Sequence, residues 1–164
     1  MRILGVDTAV RCTGVGVIET VGQQIRAVAY GCIRNAPKRS LSECLQYLFA
    51  ETRDWIERTA PDEVVVEGVF YCRNAKTAMS LGHARGAVIA ACGGFSLPIH
   101  EYSPRRVKQA VCGFGGAGKE QVTRMIVQLL GLTRLPASDA ADALAIAVCR
   151  WHAGRGIQAM DSRI

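Results

Sequence analysis

The chain has 164 residues, 49% of them hydrophobic, and a formal net charge of +6; that length suits one domain and that composition excludes a disordered or fibrous chain. No apolar run reaches the roughly 20 residues of a membrane-spanning helix, and Met1–Asp7 meets an acid too early for a secretory signal, so a cytoplasmic protein with no membrane partner is expected. Residues 1–71 carry 8 Lys/Arg and 9 Asp/Glu while residues 72–164 carry 12 and 5, an asymmetry that suits a polyanionic partner, nucleic acid being the commonest.

Along the chain, Ile3–Asp7 is a short apolar run closed by an acid. Thr13–Thr20 sets Val15, Val17 and Glu19 against Gly14, Gly16 and Ile18, which is strand periodicity. Ile25–Ile33 continues it beyond the turn at Gly22, so the first three strands are expected to form an antiparallel meander. Ser40–Ala60 has helical spacing in Leu41, Leu45, Leu48, Phe49 and Ile56, with Ser40 and Glu43 placed for a capping box and Pro61 as the stop. Glu63–Val66 is the continuous apolar core of a strand covered on both faces, and it ends in Glu67-Gly68. A helix of small residues from about Asn74 to Cys92 follows, then a short strand over Leu97–Tyr102. Ser103-Pro104 supplies the N-cap and first residue of the next helix. Gly113–Gly118 is a loop, Glu120–Leu130 a helix and Ser138–His152 the last helix. The order β-β-β-α-β-α-β-α-α-α predicts an α/β fold with a five-stranded mixed sheet flanked by helices.

Four acids stand in unusual places. Asp7 closes the first strand and Glu67 the fourth, where ligand sites in α/β sheets gather. Asp139 and Asp142 are three apart, on one face of the last helix. If that helix crosses the sheet edge, all four carboxylates converge. Crowded carboxylates repel unless a cation sits among them, and an all-oxygen donor set suits Mg²⁺ or Mn²⁺ rather than zinc. Two such ions about 3.5–4 Å apart activate a water and steady a leaving oxygen in phosphodiester hydrolysis. Each acid has a plainer reading: Asp7 as a turn cap, Glu67 in a buried salt bridge, Asp139 and Asp142 as first-turn helix acids.

Other features carry less. The seven cysteines, at 12, 32, 44, 72, 92, 112 and 149, include no C-x-x-C pair and read as reduced structural thiols. Gly113–Glu120 nearly spells a phosphate-binding loop, but Glu120 stands where a Mg²⁺-holding hydroxyl belongs and a helix precedes it. His83, His100 and His152 lack ligand spacing. Arg105, Arg106 and Lys108 by themselves read as a solvated helix face, and Phe70, Tyr71 and Arg73 as a packed loop.

Several segments resemble one family. Pro136–Ala145, containing Ser138-Asp139-Ala140-Ala141-Asp142, is similar to the last active-site motif of RuvC Holliday-junction resolvases. Gly31-Cys32-Ile33-Arg34 resembles their third strand. Val66-Glu67-Gly68-Val69-Phe70, Arg73-Asn74-Ala75 and Leu81–Gly86 resemble their second acid and adjoining helix. Val107–Val111 and Gly118–Val122 resemble the basic segment between them. The resemblance spans about Ile3 to His152. It implies an RNase H-like fold, with which the element order agrees, and one RuvC-type nuclease domain over residues 1–164. It further implies Asp7, Glu67, Asp139 and Asp142 as catalytic, metal-binding acids for two Mg²⁺ per subunit, with Mn²⁺ as a substitute. Lys108 and Lys119 would lie near the scissile phosphate, Phe70 would stack on bases of an opened junction, and Arg73 would contact DNA. The implied activity is a structure-selective endonuclease resolving four-way junction DNA in recombination and repair. The implied partners are a second copy of the chain and a branch-migration complex of RuvA and RuvB type proteins. The sequence departs from the family at Thr8-Ala9, where Pro-Gly is usual, and at Gly68, where a polar residue is common; some members have His at the position of Asp139.

Three alternatives accompany this reading. An actin-like ATPase or sugar kinase needs two such domains and separate phosphate-binding turns. A binding-only nucleic-acid module gains nothing from acids facing phosphate. A related nuclease acting on structured RNA precursors stays within the same fold.

Overall fold

A computed structural model of the chain describes residues 1–68, 74–154 and 163–164. Strands β1 (Arg2–Asp7), β2 (Cys12–Val21) and β3 (Gln24–Arg34) form the expected antiparallel meander, turning at Gly22 with a φ of 61°. Helix α1 (Leu41–Thr59) starts on a complete capping box: the Glu43 amide donates to Ser40 Oγ, and the Ser40 amide donates to the Glu43 carboxylate at 2.7 Å. Its cap residue Ala60 turns left-handed immediately before Pro61, which cannot continue the helix. Strand β4 (Glu63–Glu67), helix α2 (Ala75–Gly93), strand β5 (Ile99–Tyr102) and helices α3 (Pro104–Cys112), α4 (Lys119–Leu129) and α5 (Ser138–Ala153) complete the order. The strands lie in the order β3-β2-β1-β4-β5, with β1, β4 and β5 mutually parallel. This is the mixed, five-stranded α/β sheet that the element order predicted.

The two faces of the sheet follow from alternation along each strand. Leu4, Val6, Val64 and Val66 point to one side, where they pack with Leu48 and Ile56 of α1 and Val88 and Cys92 of α2. Ile3 and Val65 point to the other, against Leu144, Ala145 and Val148 of α5 and Val107 and Ile126 of α3 and α4. Asp7 and Glu67 have the parity of Ile3 and Val65, so both lie at the carboxyl end of the sheet on the α5 side.

Helix α5 lies unusually close to the strands. A Cβ on Gly5 would stand 2.0 Å from the carbonyl oxygen of Ala143, and one on Gly14 would stand 1.9 Å from that of Asp139. Gly16 meets Leu144 in the same way, at 2.8 Å. The glycines of β1 and β2 and the buried alanines 140, 141, 143, 145 and 147 of α5 therefore act together: side chains are removed from both surfaces so that backbone meets backbone. At the opposite end, Glu63 of β4 accepts from Arg150 of α5 at 2.5 Å and lies 3.1 Å from His100 of β5, tying helix to sheet there.

Helix α2 has two unlike faces. Ala84, Val88, Ala91 and Cys92 are buried, whereas Ala75, Gly82, Gly86 and Ala90 are exposed. Among the described residues, nothing beyond the helix's own backbone and the chain neighbours lies within 4 Å of a Cβ added at Gly82 or Gly86, and Met79 beside them is 64% exposed. Among the described residues, no helix is long and apolar enough to cross a membrane.

Candidate active site

The register between strands sets two of the acids level. Val6 of β1 pairs with Val66 of β4, so Asp7 and Glu67, one residue further on, end their strands side by side. Asp7 is also opposite Gly14, and the missing side chain there is what lets the first turn of α5 descend onto the strand end. That descent delivers Asp139 and Asp142. Carboxylate oxygens of Asp7, Asp139 and Asp142 all lie within 4.8 Å of one another. Glu67 stands outside that tight group but lines the same cavity of about 190 Å³, with Asp7, Asp142, Lys108, Lys119 and Pro104.

The electrostatics show how crowded this cavity is. Burial, followed by repulsion from Asp142 and then Asp139, raises the Asp7 carboxyl from 3.8 to about 6. Burial, followed by repulsion from Asp7 and Asp142, raises Glu67 from 4.5 to about 7. Two cations oppose these shifts. Lys119, the first residue of α4, places Nζ 2.7 Å from Asp142 Oδ2, and that hydrogen bond raises its own pKa. Lys108 of α3 lowers the Glu67 value through its charge. Among the described residues, the cavity's three acids and the adjoining Asp139 outnumber the two lysines, a donor set of hard oxygens short of positive charge.

Flanking residues hold the acids in place. Arg85 of α2 donates from Nη1 to the backbone carbonyl of Glu67 at 2.8 Å and pairs with Glu101 of β5, so the end of β4 is clamped from behind. The turn after Asp7, Thr8-Ala9, is closed by a buried side chain, that of Thr13. Thr13 Oγ1 donates to the Ala9 carbonyl at 2.6 Å and accepts from the Ala9 amide at 3.2 Å. Asn35 secures the next residue by donating to the Val10 carbonyl at 2.8 Å.

A family model described as crossover junction endodeoxyribonuclease RuvC matches residues 3–150. The chain belongs to the RuvC family of crossover junction endodeoxyribonucleases. Curated RuvC proteins from Aromatoleum aromaticum and Dechloromonas aromatica are 48% and 46% identical over 155 and 159 residues. Those alignments cover 94% and 97% of this chain and 83% and 89% of the relatives. The solved Thermus thermophilus RuvC in complex with a Holliday junction is 32% identical, with a TM-score of 0.90 over 99% of this chain and 98% of that one. The yeast mitochondrial Holliday junction resolvase, at 11% identity and a TM-score of 0.67 over 92% of this chain and 80% of that one, shares the RNase H-like fold.

Of the residues singled out in the sequence, Asp7, Glu67, Asp142, Lys108 and Lys119 line this cavity, and Asp139 adjoins it, within 4.8 Å of Asp7 and Asp142. Phe70 and Arg73 lie outside the described residues. The near phosphate-binding loop does follow a helix, α3, whose C-cap Gly113 has a φ of 84°. Sequence reasoning missed three contributors. Arg85 lay in a quoted motif without a role. Gly14 looked like ordinary strand alternation. Cys12, counted among the structural thiols, donates from Sγ to Asp139 Oδ2 at 2.8 Å. Strand parity held the clue to the last two, since Cys12, Gly14 and Gly16 share the face that α5 covers.

Proposed function

We propose that the chain resolves four-way DNA junctions by metal-dependent hydrolysis of the phosphodiester backbone. The observation that carries this is the cavity itself, in which acids from two strand ends and one helix share a small space with two lysines. The donor set fits Mg²⁺, with Mn²⁺ as a substitute: carboxylate oxygens are hard ligands, and the raised Asp7 and Glu67 values mark a site whose ionised form wants positive charge. Asp7, Glu67, Asp139 and Asp142 would hold two ions, which when bound supply Lewis acidity and an activated water. The chain's own groups do the rest. Gly14 and Arg85 fix where the carboxylates stand, and Lys119 and Lys108 offer ammonium groups to phosphate oxygens. A DNA phosphate approaching Lys119 would compete with Asp142 for it, and Asp142 would then be free to hold a metal ion. Phe70 and Arg73 complete the DNA contacts in this reading.

The same reading makes the chain one nuclease domain acting as a homodimer in the cytoplasm. The exposed face of α2, with Gly82 and Gly86 open to a close backbone approach, supports pairing about a two-fold axis. Such pairing matches the pseudo-two-fold symmetry of a junction and allows paired nicks; RuvA and RuvB type proteins would present that substrate. Cleavage of matched four-way junction, linear duplex and structured RNA in Mg²⁺ tests the proposal. Paired nicks in the junction alone are expected, and preferential cutting of the RNA would refute it in favour of RNA processing.

A further inference from the structure

Three side chains just beside the carboxylate cavity form a second cluster of different chemistry. Strands β2 and β3 pair Gly14 with Cys32, so Cys12, two residues earlier and on the same face, lies diagonally across from Cys32. The first turn of α5 covers that corner and adds Asp139. The two Sγ atoms and an Asp139 carboxylate oxygen lie within 4.8 Å of one another, and Cys12 Sγ is 2.8 Å from Asp139 Oδ2. All three residues are half-buried, so solutes in water reach them.

Two sulfurs and one oxygen are the ligands of a borderline-soft divalent ion, not of Mg²⁺. A tetrahedral Zn²⁺ or Cd²⁺ takes bonds of about 2.3 Å or slightly more to sulfur and about 2.0–2.2 Å to carboxylate oxygen, which requires ligand atoms under about 4 Å apart. Side-chain rotation closes the remaining gap, because all three groups already converge. Three protein ligands leave a fourth position for water. We propose that Cys12, Cys32 and Asp139 bind a thiophilic divalent cation. Each thiol gives its proton to the solvent as its sulfur binds the metal. Asp139 belongs to both clusters. Occupation of the thiol site therefore draws that carboxylate from the Asp7–Asp142 group and makes the ion an inhibitor of cleavage. The inhibitory half rests on the nuclease reading above; the binding half does not.

The test is a Cd²⁺ titration of the full chain in a non-thiol reductant, following the ultraviolet thiolate-to-metal charge-transfer band. The wild type is expected to show one equivalent of binding that is missing in Cys12→Ser and in Cys32→Ser and retained in Cys112→Ser, whose half-buried thiol lies on α3. Circular dichroism checks that each variant is folded. Junction cleavage in excess Mg²⁺ is read in parallel, each variant against its own rate without Cd²⁺. Losing a metal ligand is at least as severe as losing a partner of one, so equimolar Cd²⁺ is expected to slow the wild type by on the order of tenfold and to leave Cys12→Ser unaffected. Equal binding in wild type, Cys12→Ser and Cys32→Ser would overturn the site. Binding lost in both variants, with wild-type cleavage indifferent to the ion, would uphold the site and overturn the role of Asp139 in the hard-metal cluster.

Discussion

Replacing Asp7 with Asn is expected to stabilise the metal-free protein while destroying its activity. Asp7 titrates at about 6 rather than 3.8, because burial and then the Asp142 and Asp139 carboxylates penalise its ionised form. The folded state therefore holds this proton more tightly than the unfolded chain does. The advantage of the neutral form is complete below pH 3.8 and is lost as pH rises through about 6. At about 1.4 kcal/mol per pH unit, an ionised Asp7 costs the fold at most about 3 kcal/mol at pH 8. Solvent at the cavity mouth reduces this to about 1–2 kcal/mol. Asn keeps the shape and removes the charge, so Asp7→Asn should melt higher than wild type by roughly 2–8 °C at pH 8 in EDTA. The gap should close as pH falls toward 4, and Mg²⁺ should stabilise the wild type more than the variant. Thermal unfolding followed by circular dichroism across that range measures it. A variant less stable than wild type at pH 8 in EDTA, or a gap independent of pH, would refute the reasoning.

Other expectations follow from the same geometry. Glu67→Gln should abolish junction cleavage but keep binding, since phosphate contacts supply most affinity; a gel-shift and a cleavage assay on one preparation separate the two. Lys119→Ala and Lys108→Ala should each weaken the salt dependence of junction binding by about one ion, read from affinity over a range of NaCl concentrations. Gly14→Ala places a methyl group against the Asp139 backbone, so it should cost about 1–3 kcal/mol in urea unfolding and lower cleavage further than the stability loss explains. Arg85→Ala frees the carbonyl of Glu67 and leaves Glu101 without its cation; cleavage should fall while the salt slope of DNA binding stays unchanged.

Strand and helix periods made the fold legible in the sequence. Alternation in Thr13–Thr20, the Ser40–Glu43 capping box and the Ser103-Pro104 start each have a local cause, and each element formed where its cause lies. The acids were legible as strand-end and helix-face residues, and the family resemblance extended their reading to Lys108 and Lys119. What the sequence concealed depends on distance between elements. Gly14 is an ordinary small residue until α5 lies on it. Cys12 is an ordinary thiol until Asp139, 127 residues away, comes within hydrogen-bond reach. Arg85 acts from the far side of the sheet on a backbone carbonyl, a contact that no spacing rule encodes. Glu67 was expected in one cluster with the other three; it shares a cavity with Asp7 and Asp142, while Asp7, Asp139 and Asp142 form the tighter group.

The most direct test of the account is cleavage of a four-way junction by the wild type and Asp142→Asn, in Mg²⁺ and in EDTA. Paired nicks by the wild type in Mg²⁺ alone, with bound but uncut junction in the other three conditions, are the predicted result. Undiminished cutting in EDTA, or a near wild-type rate for Asp142→Asn in Mg²⁺, would contradict a metal-loaded carboxylate cluster as the catalyst.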